Sequence, residues 1–157
     1  MKKDITLRLV STRFESDNPK ATPITPDSES AEPQRIEMFT EAVWQEEGDE
    51  VKISYNEGEE SGMEGSVTSL IFDKRRRDTL TMFRTGLAGT TMVFSPGTRY
   101  NCVYNTSVIP FKMVLYTRTL INRLPEEGTL EIDYVTDLAG SGRARTYLQM
   151  TVYEDKE

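Results

Sequence analysis

Apolar and polar residues alternate along most of this chain, and the pattern is clearest in residues 51–57 and 67–73. Alternation with a period of two is typical of a β-strand with one buried face and one solvent face. Between the two stretches, Gly58, Gly62 and Gly65 lie among acidic residues, which predicts a turn. The two stretches are therefore expected to form an antiparallel hairpin.

The same alternation recurs to the end of the chain, and no stretch has the pattern of a convincing amphipathic helix. Further strands are predicted at residues 4–14, 35–47, 79–84, 90–94, 99–106, 111–122, 130–138 and 148–152. A sheet of so many strands curls, and closing it removes its exposed edges. We therefore predict a single all-β domain over residues 1–157. Its expected form is an antiparallel meander barrel of about eight to ten strands, in preference to a sandwich.

One segment, residues 17–34, interrupts the strand pattern. It contains Pro19, Pro23, Pro26 and Pro33 among serines and acidic residues. Four prolines in so short a span exclude a central strand or a stable helix. We expect a mobile surface loop, which limited proteolysis should cut first, and keep a lid over the barrel as the alternative.

Net charge and cysteine content restrict the possible partners and the compartment. The chain carries a net charge of −7, which disfavours a nucleic-acid or anionic membrane surface. The basic run 74–77 invites a phosphate or nucleic-acid hypothesis, but its place between two strands and its flanking aspartates favour a solvated turn. No apolar run has the length of a signal peptide or a membrane span. Cys102 is the only cysteine, which favours a reducing cytoplasm and a buried free thiol.

The chain has no histidine, which is its most restrictive feature for chemistry. This excludes Ser-His and Cys-His nucleophiles and imidazole metal ligands. Asp133 and Asp137 alternate with the apolar positions of their stretch and are expected to point to solvent. No residue stands out as a nucleophile or a base, so the sequence does not favour an enzyme. It predicts no cofactor and no metal site, and it leaves the oligomeric state undetermined.

Several polar residues share the phase of apolar neighbours and are therefore expected inside the barrel. Glu57 is an even number of positions from Ile53, so both side chains are expected on the same face of their strand, and the same holds for Arg84 and Leu80. An acid and an arginine in one interior need each other, because unpaired buried charge is very costly. We predict that the two side chains point into the barrel and either pair directly or share a bound anion or water. The candidate ligand-binding residues are Tyr55, Glu57, Arg84, Tyr104, Thr117 and Tyr134.

The order and spacing of these residues resemble a known family. The resemblance rests on the segments 55–57, 67–70 and 84–86, followed by Tyr104 with Thr106, and then by Thr117 and Tyr134. In this order they are similar to the YwiB-like proteins, small bacterial β-barrels of unknown function with a fold like that of lipocalins and other calycins. The resemblance covers the chain from Ile5 to Tyr153 and implies a calycin-type barrel, but it implies no particular ligand.

Two functional hypotheses follow for the predicted interior. The first is a calycin-like barrel that binds a small, partly apolar and anionic molecule, with Arg84 as the anchor for a carboxylate or phosphate. The second is a structural or protein-interaction module in which Arg84 and Glu57 form an ion pair at the barrel mouth. A histidine-independent enzyme is a weaker third hypothesis.

Overall fold

The structure, a computed structural model, describes residues 1–16, 33–58, 64–86, 89–105, 110–138 and 142–154. These residues form ten β-strands and one helical turn. The elements are β1 (Lys2–Ser16), β2 (Gln34–Glu47), β3 (Glu50–Asn56), β4 (Val67–Asp73), β5 (Arg76–Thr85), β6 (Thr90–Phe94), β7 (Arg99–Asn105), β8 (Pro110–Arg123), α1 (Leu124–Glu127), β9 (Thr129–Leu138) and β10 (Gly142–Glu154).

All ten strands belong to one antiparallel sheet with the order β6-β5-β4-β3-β2-β1-β10-β9-β8-β7. Strands β6 and β7 are the two edges of the sheet, and the turn between them joins these edges into a nearly closed barrel. Thr117 on β8 holds this turn: its hydroxyl accepts the Ser95 N–H at 3.2 Å, and its carbonyl accepts the Gly97 N–H at 2.9 Å. The predicted all-β barrel of about eight to ten strands is confirmed.

Inward-facing side chains of all ten strands contribute to one core. The most completely buried of them include Leu7, Ile53, Leu70, Leu80, Phe94 and Leu115. Full burial of such a side chain stabilises the fold by roughly 1.5–3 kcal/mol. Trp44 also belongs to this core, and its indole N–H donates to the Glu46 carboxylate at 2.8 Å. The buried indole therefore keeps a hydrogen-bond partner.

The four connections at one end of the barrel are fully described: three turns and the helical turn α1 join the strands there. Gly128 ends α1 with φ of 71°, a left-handed conformation that glycine adopts without strain. Each of the five connections at the other end includes residues outside the described ranges. The expected loop 17–34 falls among them, except that Gln34 already belongs to β2.

The basic run 74–77 lies at a turn between β4 and β5, as its sequence position indicates. Lys74 and Arg75 form the turn, whereas the second half of the run belongs to β5. The Lys74 ammonium donates to the Glu46 carboxylate at 2.9 Å, and the Arg75 guanidinium is 3.0 Å from the Asp49 carboxylate. These cations face nearby carboxylates, which supports the solvated-turn interpretation.

The expectation that Asp133 points to solvent is wrong. Its carboxylate lies on the outer wall of the barrel, as the alternation predicts, but Asp133 is only 8% exposed. Arg145 on the adjacent strand β10 covers it and donates two hydrogen bonds, of 3.0 and 2.7 Å. A two-bond arginine–carboxylate contact has a fixed geometry, which explains why a charged outward residue is shielded from water.

Cys102 is a free cysteine on the inner face of β7 and is 9% exposed. Its thiol donates to the Met113 carbonyl oxygen at 3.6 Å. Burial raises the pKa of this thiol, because the thiolate would lose its hydration. The reactive thiolate is therefore scarce at neutral pH.

We expect Cys102 to react with a thiol reagent at least about tenfold more slowly than an exposed cysteine. The matched control is a Cys102→Ala, Val103→Cys double variant, because Val103 is the next residue of β7 and is 47% exposed. Labelling rates in native buffer and in denaturant test this expectation. Equal native rates for the two proteins would contradict the burial of Cys102.

Candidate functional site

Three adjacent strands bring four polar side chains together inside the barrel. Tyr55 on β3 pairs with Thr68 on β4, and Thr68 pairs with Arg84 on β5. Glu57 follows Tyr55 in the same phase, just past the end of β3. All four lie near the end of the barrel where these strands begin or end next to undescribed residues. We call these four residues, together with Tyr134 on β9, the mouth cluster.

Thr68 is the centre of the mouth cluster. Its hydroxyl donates to Glu57 Oε1 at 2.6 Å and accepts the Arg84 Nε–H at 3.0 Å. The guanidinium Nη2 of Arg84 is 3.6 Å from Glu57 Oε1, and the two side chains are only 9% and 3% exposed. The predicted acid and arginine therefore lie together inside the barrel, but a threonine bridges them.

Sequence reasoning did not select Thr68 as a site residue. The signal was nevertheless present, because Thr68 occupies the same phase as the buried Leu70 and is itself 0% exposed. A hydroxyl on a fully buried phase needs a partner, since an unsatisfied buried polar group costs about 1–3 kcal/mol. The charged side chains on the two neighbouring strands supply those partners.

The Arg84–Glu57 contact is looser than a second well-buried arginine–carboxylate contact, on the outer wall of the barrel. On the outer wall, Arg145 grips Asp133 with two hydrogen bonds of 3.0 and 2.7 Å. Inside the barrel, Arg84 approaches Glu57 through one nitrogen at 3.6 Å, beyond normal hydrogen-bond length. The Arg84 guanidinium is thus buried without a two-bond carboxylate partner among the described residues.

Burial and nearby charges shift the pKa values of the two tyrosines of the mouth cluster. Burial raises the pKa of Tyr55 strongly, and the nearby Glu57 carboxylate raises it further. Burial also raises the pKa of Tyr134, whereas a hydrogen bond with Thr146 and the positive charges of Arg84 and Arg13 lower it in part. Both phenols therefore remain protonated at neutral pH. Arg13 is an exposed residue of β1 that the sequence did not single out, and its charge also acts on Tyr134.

The remaining predicted site residues have different surroundings. Thr117 is fully buried, but its hydroxyl is engaged by Ser95 in the turn that closes the barrel. Tyr104 lies in β7, paired with Phe111, and its side chain falls outside the described part of the chain. The ring of Tyr134 packs edge-on against Phe94, with centroids 5.0 Å apart.

The mouth cluster presents one guanidinium, one carboxylate, one threonine hydroxyl and two protonated phenols. Among the described residues, no group of three or more acidic or cysteine side chains lies close enough to hold a metal ion. Below the cluster, core side chains occupy the interior. Two depressions have volumes of about 440 and 530 Å³. Asp4, Glu41 and Tyr55 help to line the first, and Glu46 and Glu50 the second. Arg84 lines neither of them.

A glycine positions the strand ends around the mouth cluster. Gly86, just past β5, has φ of +117°, and a Cβ added there would lie 2.5 Å from the Gly65 carbonyl oxygen. The neighbouring Ser66 carbonyl accepts the Glu57 N–H at 2.9 Å. The missing side chain of Gly86 thus lets β5 pack on the turn that holds the Glu57 backbone.

We expect Gly86→Ala to lower the free energy of unfolding by about 3 kcal/mol, through backbone strain and the clash with Gly65. Gly48→Ala is the control, because Gly48 also has a positive φ but nothing within 4 Å of an added Cβ. It should cost about 1–2 kcal/mol. Urea unfolding of both variants measures the difference. Equal losses in the free energy of unfolding would show that the close approach of Gly86 to the Gly65 carbonyl does not contribute to stability.

Comparison with known proteins adds a family and a fold. The family model described as a domain of unknown function, DUF1934, matches residues 22–150. The crystal structure of the ywiB protein from Bacillus subtilis is similar, with a TM-score of 0.68 over 99% of this chain and 94% of that chain. At 16% identity, that likeness concerns the fold alone.

No curated protein matches the chain. No helix among the described residues is long and apolar enough to cross a membrane. The resemblance found in the sequence is confirmed by the family model and the barrel structure together. The chain belongs to DUF1934, the YwiB-like family of β-barrel proteins of unknown function.

Proposed function

We propose that this protein binds a small, partly apolar anion at the mouth of its barrel, with Arg84 as the anchor for a carboxylate or phosphate group. The observation that carries the proposal is the buried Arg84 guanidinium, which meets Glu57 only through a 3.6 Å contact. A guanidinium presents a planar fork of donors that matches the oxygens of a carboxylate or phosphate. A bound anion would complete that fork.

The charge balance at this end of the barrel supports an anionic ligand. On the inner phase of the described strands near the mouth, the charged side chains are Arg13, Arg84 and Glu57, and the positive charges of both arginines act on Tyr134. Arg13 is exposed to water, whereas the side chain of Arg84 is only 9% exposed. Removing the Arg84 charge from water is costly unless it is compensated, and a bound anion would add to the compensation that Glu57 provides.

The walls near Arg84 suggest that the guest is partly apolar. Met82 and Met92 are buried neighbours on β5 and β6, and the Met82 sulfur is 4.0 Å from Arg84 Nη2. Flexible thioether side chains adapt to varied apolar shapes. A calycin-like relationship, as the sequence resemblance implies, would be consistent with a small ligand in the barrel. The single cysteine supports a place in the reducing cytoplasm.

Decanoate and decanol form a matched pair of probes, because they share a chain and differ in charge. We expect isothermal titration calorimetry to show decanoate binding to the wild type. Arg84→Met should weaken it about 10- to 100-fold, the effect of losing a charge-assisted hydrogen bond. Decanol binding should change little. Equal loss for both probes would mean that Arg84 does not recognise the anion.

Stability and binding must be separated, because Arg84 also neighbours a buried carboxylate. Arg84→Met alone should lower the free energy of unfolding by about 3 kcal/mol, since Glu57 loses its cation. Adding Glu57→Gln should recover much of that loss and give a folded protein without the anchor. We expect this double variant to be stable in urea and still unable to bind decanoate. Wild-type decanoate affinity in the double variant would refute the anchor role.

A matched control tests whether any buried arginine has the same effect. Arg145 with Asp133 is the corresponding pair on the outer wall. The double variant Arg145→Met, Asp133→Asn should leave decanoate binding unchanged, because these residues face away from the mouth. Native mass spectrometry of protein purified from its own host then identifies the natural ligand.

The alternative function is a structural or protein-interaction module, in which the mouth cluster only stabilises the barrel. The Thr68 bridge favours this alternative, because it already satisfies part of both charged side chains. It predicts no binding of decanoate or inorganic phosphate by the wild type. It also predicts nearly complete recovery of stability in the Arg84→Met, Glu57→Gln variant.

A further inference from the structure

Thr90, the first residue of β6, has a buried hydroxyl that forms no hydrogen bond with any described residue. Thr90 is only 6% exposed, and its Oγ1 atom is shielded from water. A buried hydroxyl without a partner is costly and uncommon in folded proteins, so this one needs a physical explanation. Neither the core packing nor the mouth cluster supplies it.

The Cys102 thiol on β7 lies near the Thr90 hydroxyl but is a poor partner for it. Burial raises the pKa of this thiol, and the Thr90 hydroxyl lowers it in part, because it would donate to a thiolate. At neutral pH the thiol keeps its proton and donates it to the Met113 carbonyl oxygen. A neutral thiol sulfur is only a weak acceptor. The Thr90 hydroxyl therefore still lacks a strong acceptor.

Thr90 lies directly beside Arg84 in the barrel interior. The two residues are paired across β6 and β5, and Thr68 is paired with Arg84 from the other side, on β4. The Thr68 hydroxyl is already satisfied, because it donates to Glu57 and accepts from Arg84. Arg84 thus has a satisfied hydroxyl on one side and an unsatisfied hydroxyl on the other.

We propose that Thr90 is a second ligand-binding residue, whose hydroxyl donates a hydrogen bond to an oxygen of the anion that Arg84 holds. This inference rests on the proposed function and adds a location: the anionic group lies on the β6 side of Arg84, away from Glu57. Carboxylate and phosphate oxygens each have more than one lone pair, so one group accepts from the guanidinium and the hydroxyl together. Its negative charge strengthens both hydrogen bonds.

Two methionines provide a place for the rest of the ligand. The next inward-facing pair along β5 and β6 is Met82 with Met92, and the Met82 sulfur is 4.0 Å from Arg84 Nη2. A thioether sulfur is a weak acceptor, so an anionic oxygen is the better partner for the guanidinium. Methionine side chains rearrange readily, because they have three rotatable bonds. In the proposed complex, the anion displaces the Met82 thioether and the apolar part of the ligand lies against both methionines.

Two substitutions of Thr90 test the hydrogen bond by isothermal titration calorimetry with decanoate. Thr90→Val removes the hydroxyl, keeps the size of the side chain and should weaken decanoate binding about tenfold, as expected for a lost hydrogen bond to a charged group. Thr90→Ser keeps the hydroxyl and should bind decanoate within about twofold of the wild type. Equal affinities of the two variants would overturn the role of the hydroxyl.

Urea unfolding without ligand separates a ligand-binding hydroxyl from a structural one. Because the Thr90 hydroxyl has no partner in the free protein, Thr90→Val should leave the urea midpoint unchanged or raise it. Thr117→Val is the matched control, since Thr117 is also buried but its hydroxyl accepts the Ser95 N–H at 3.2 Å. The control should lower the midpoint. An equal fall for Thr90→Val would identify a structural hydroxyl and overturn the inference.

The calorimetry also distinguishes failure of this inference from failure of the proposed function. If decanoate binds the wild type and Thr90→Val equally but binds Arg84→Met poorly, the anion site stands and Thr90 takes no part in it. If the wild type itself does not bind decanoate, both the anion site and the role of Thr90 are overturned.

Discussion

The rest of this structure depends on the burial of one apolar face per strand. Because successive side chains of a strand point to opposite sides, a slip of one residue would expose every core side chain of that strand. Burial of Ile53, Leu70 and Leu80 thus fixes the register of β3, β4 and β5. The polar residues that follow in the same phase must then face the interior as well. Arg84 points into the barrel because Leu80 and Met82, which precede it in the same phase, are buried in the core.

This constraint explains which features could be predicted from the sequence. The strands and the inward direction of Glu57 and Arg84 follow from periodicity alone, and both agree with the structure. Contacts between strands are harder to predict, because they require the register across the sheet. The Thr68 bridge depends on two such registers, and the covering of Asp133 by Arg145 depends on another. Periodicity indicates on which face a side chain lies, but not what covers it.

The two arginine–carboxylate contacts differ in geometry. Arg145 and Asp133 are matched by two short hydrogen bonds on the outer wall, so the carboxylate fills the guanidinium fork. Inside the barrel, the Thr68 hydroxyl lies between the partners and takes one lone pair of Glu57. A purely structural pair gains from direct contact, because Coulomb attraction in a buried site rises as the distance falls. The interior contact is looser than this, and the proposed anion would occupy the part of the guanidinium fork that Glu57 does not fill.

The same three strands, β3, β4 and β5, carry both the mouth cluster and part of the outer wall. Alternate residues of one strand serve the two faces: Tyr55 points inward and Ser54 outward, while Arg84 points inward and Phe83 outward. Because the mouth cluster spans all three strands, its geometry depends on their register and spacing. The packing of the outward residues therefore helps to determine where the inward residues meet.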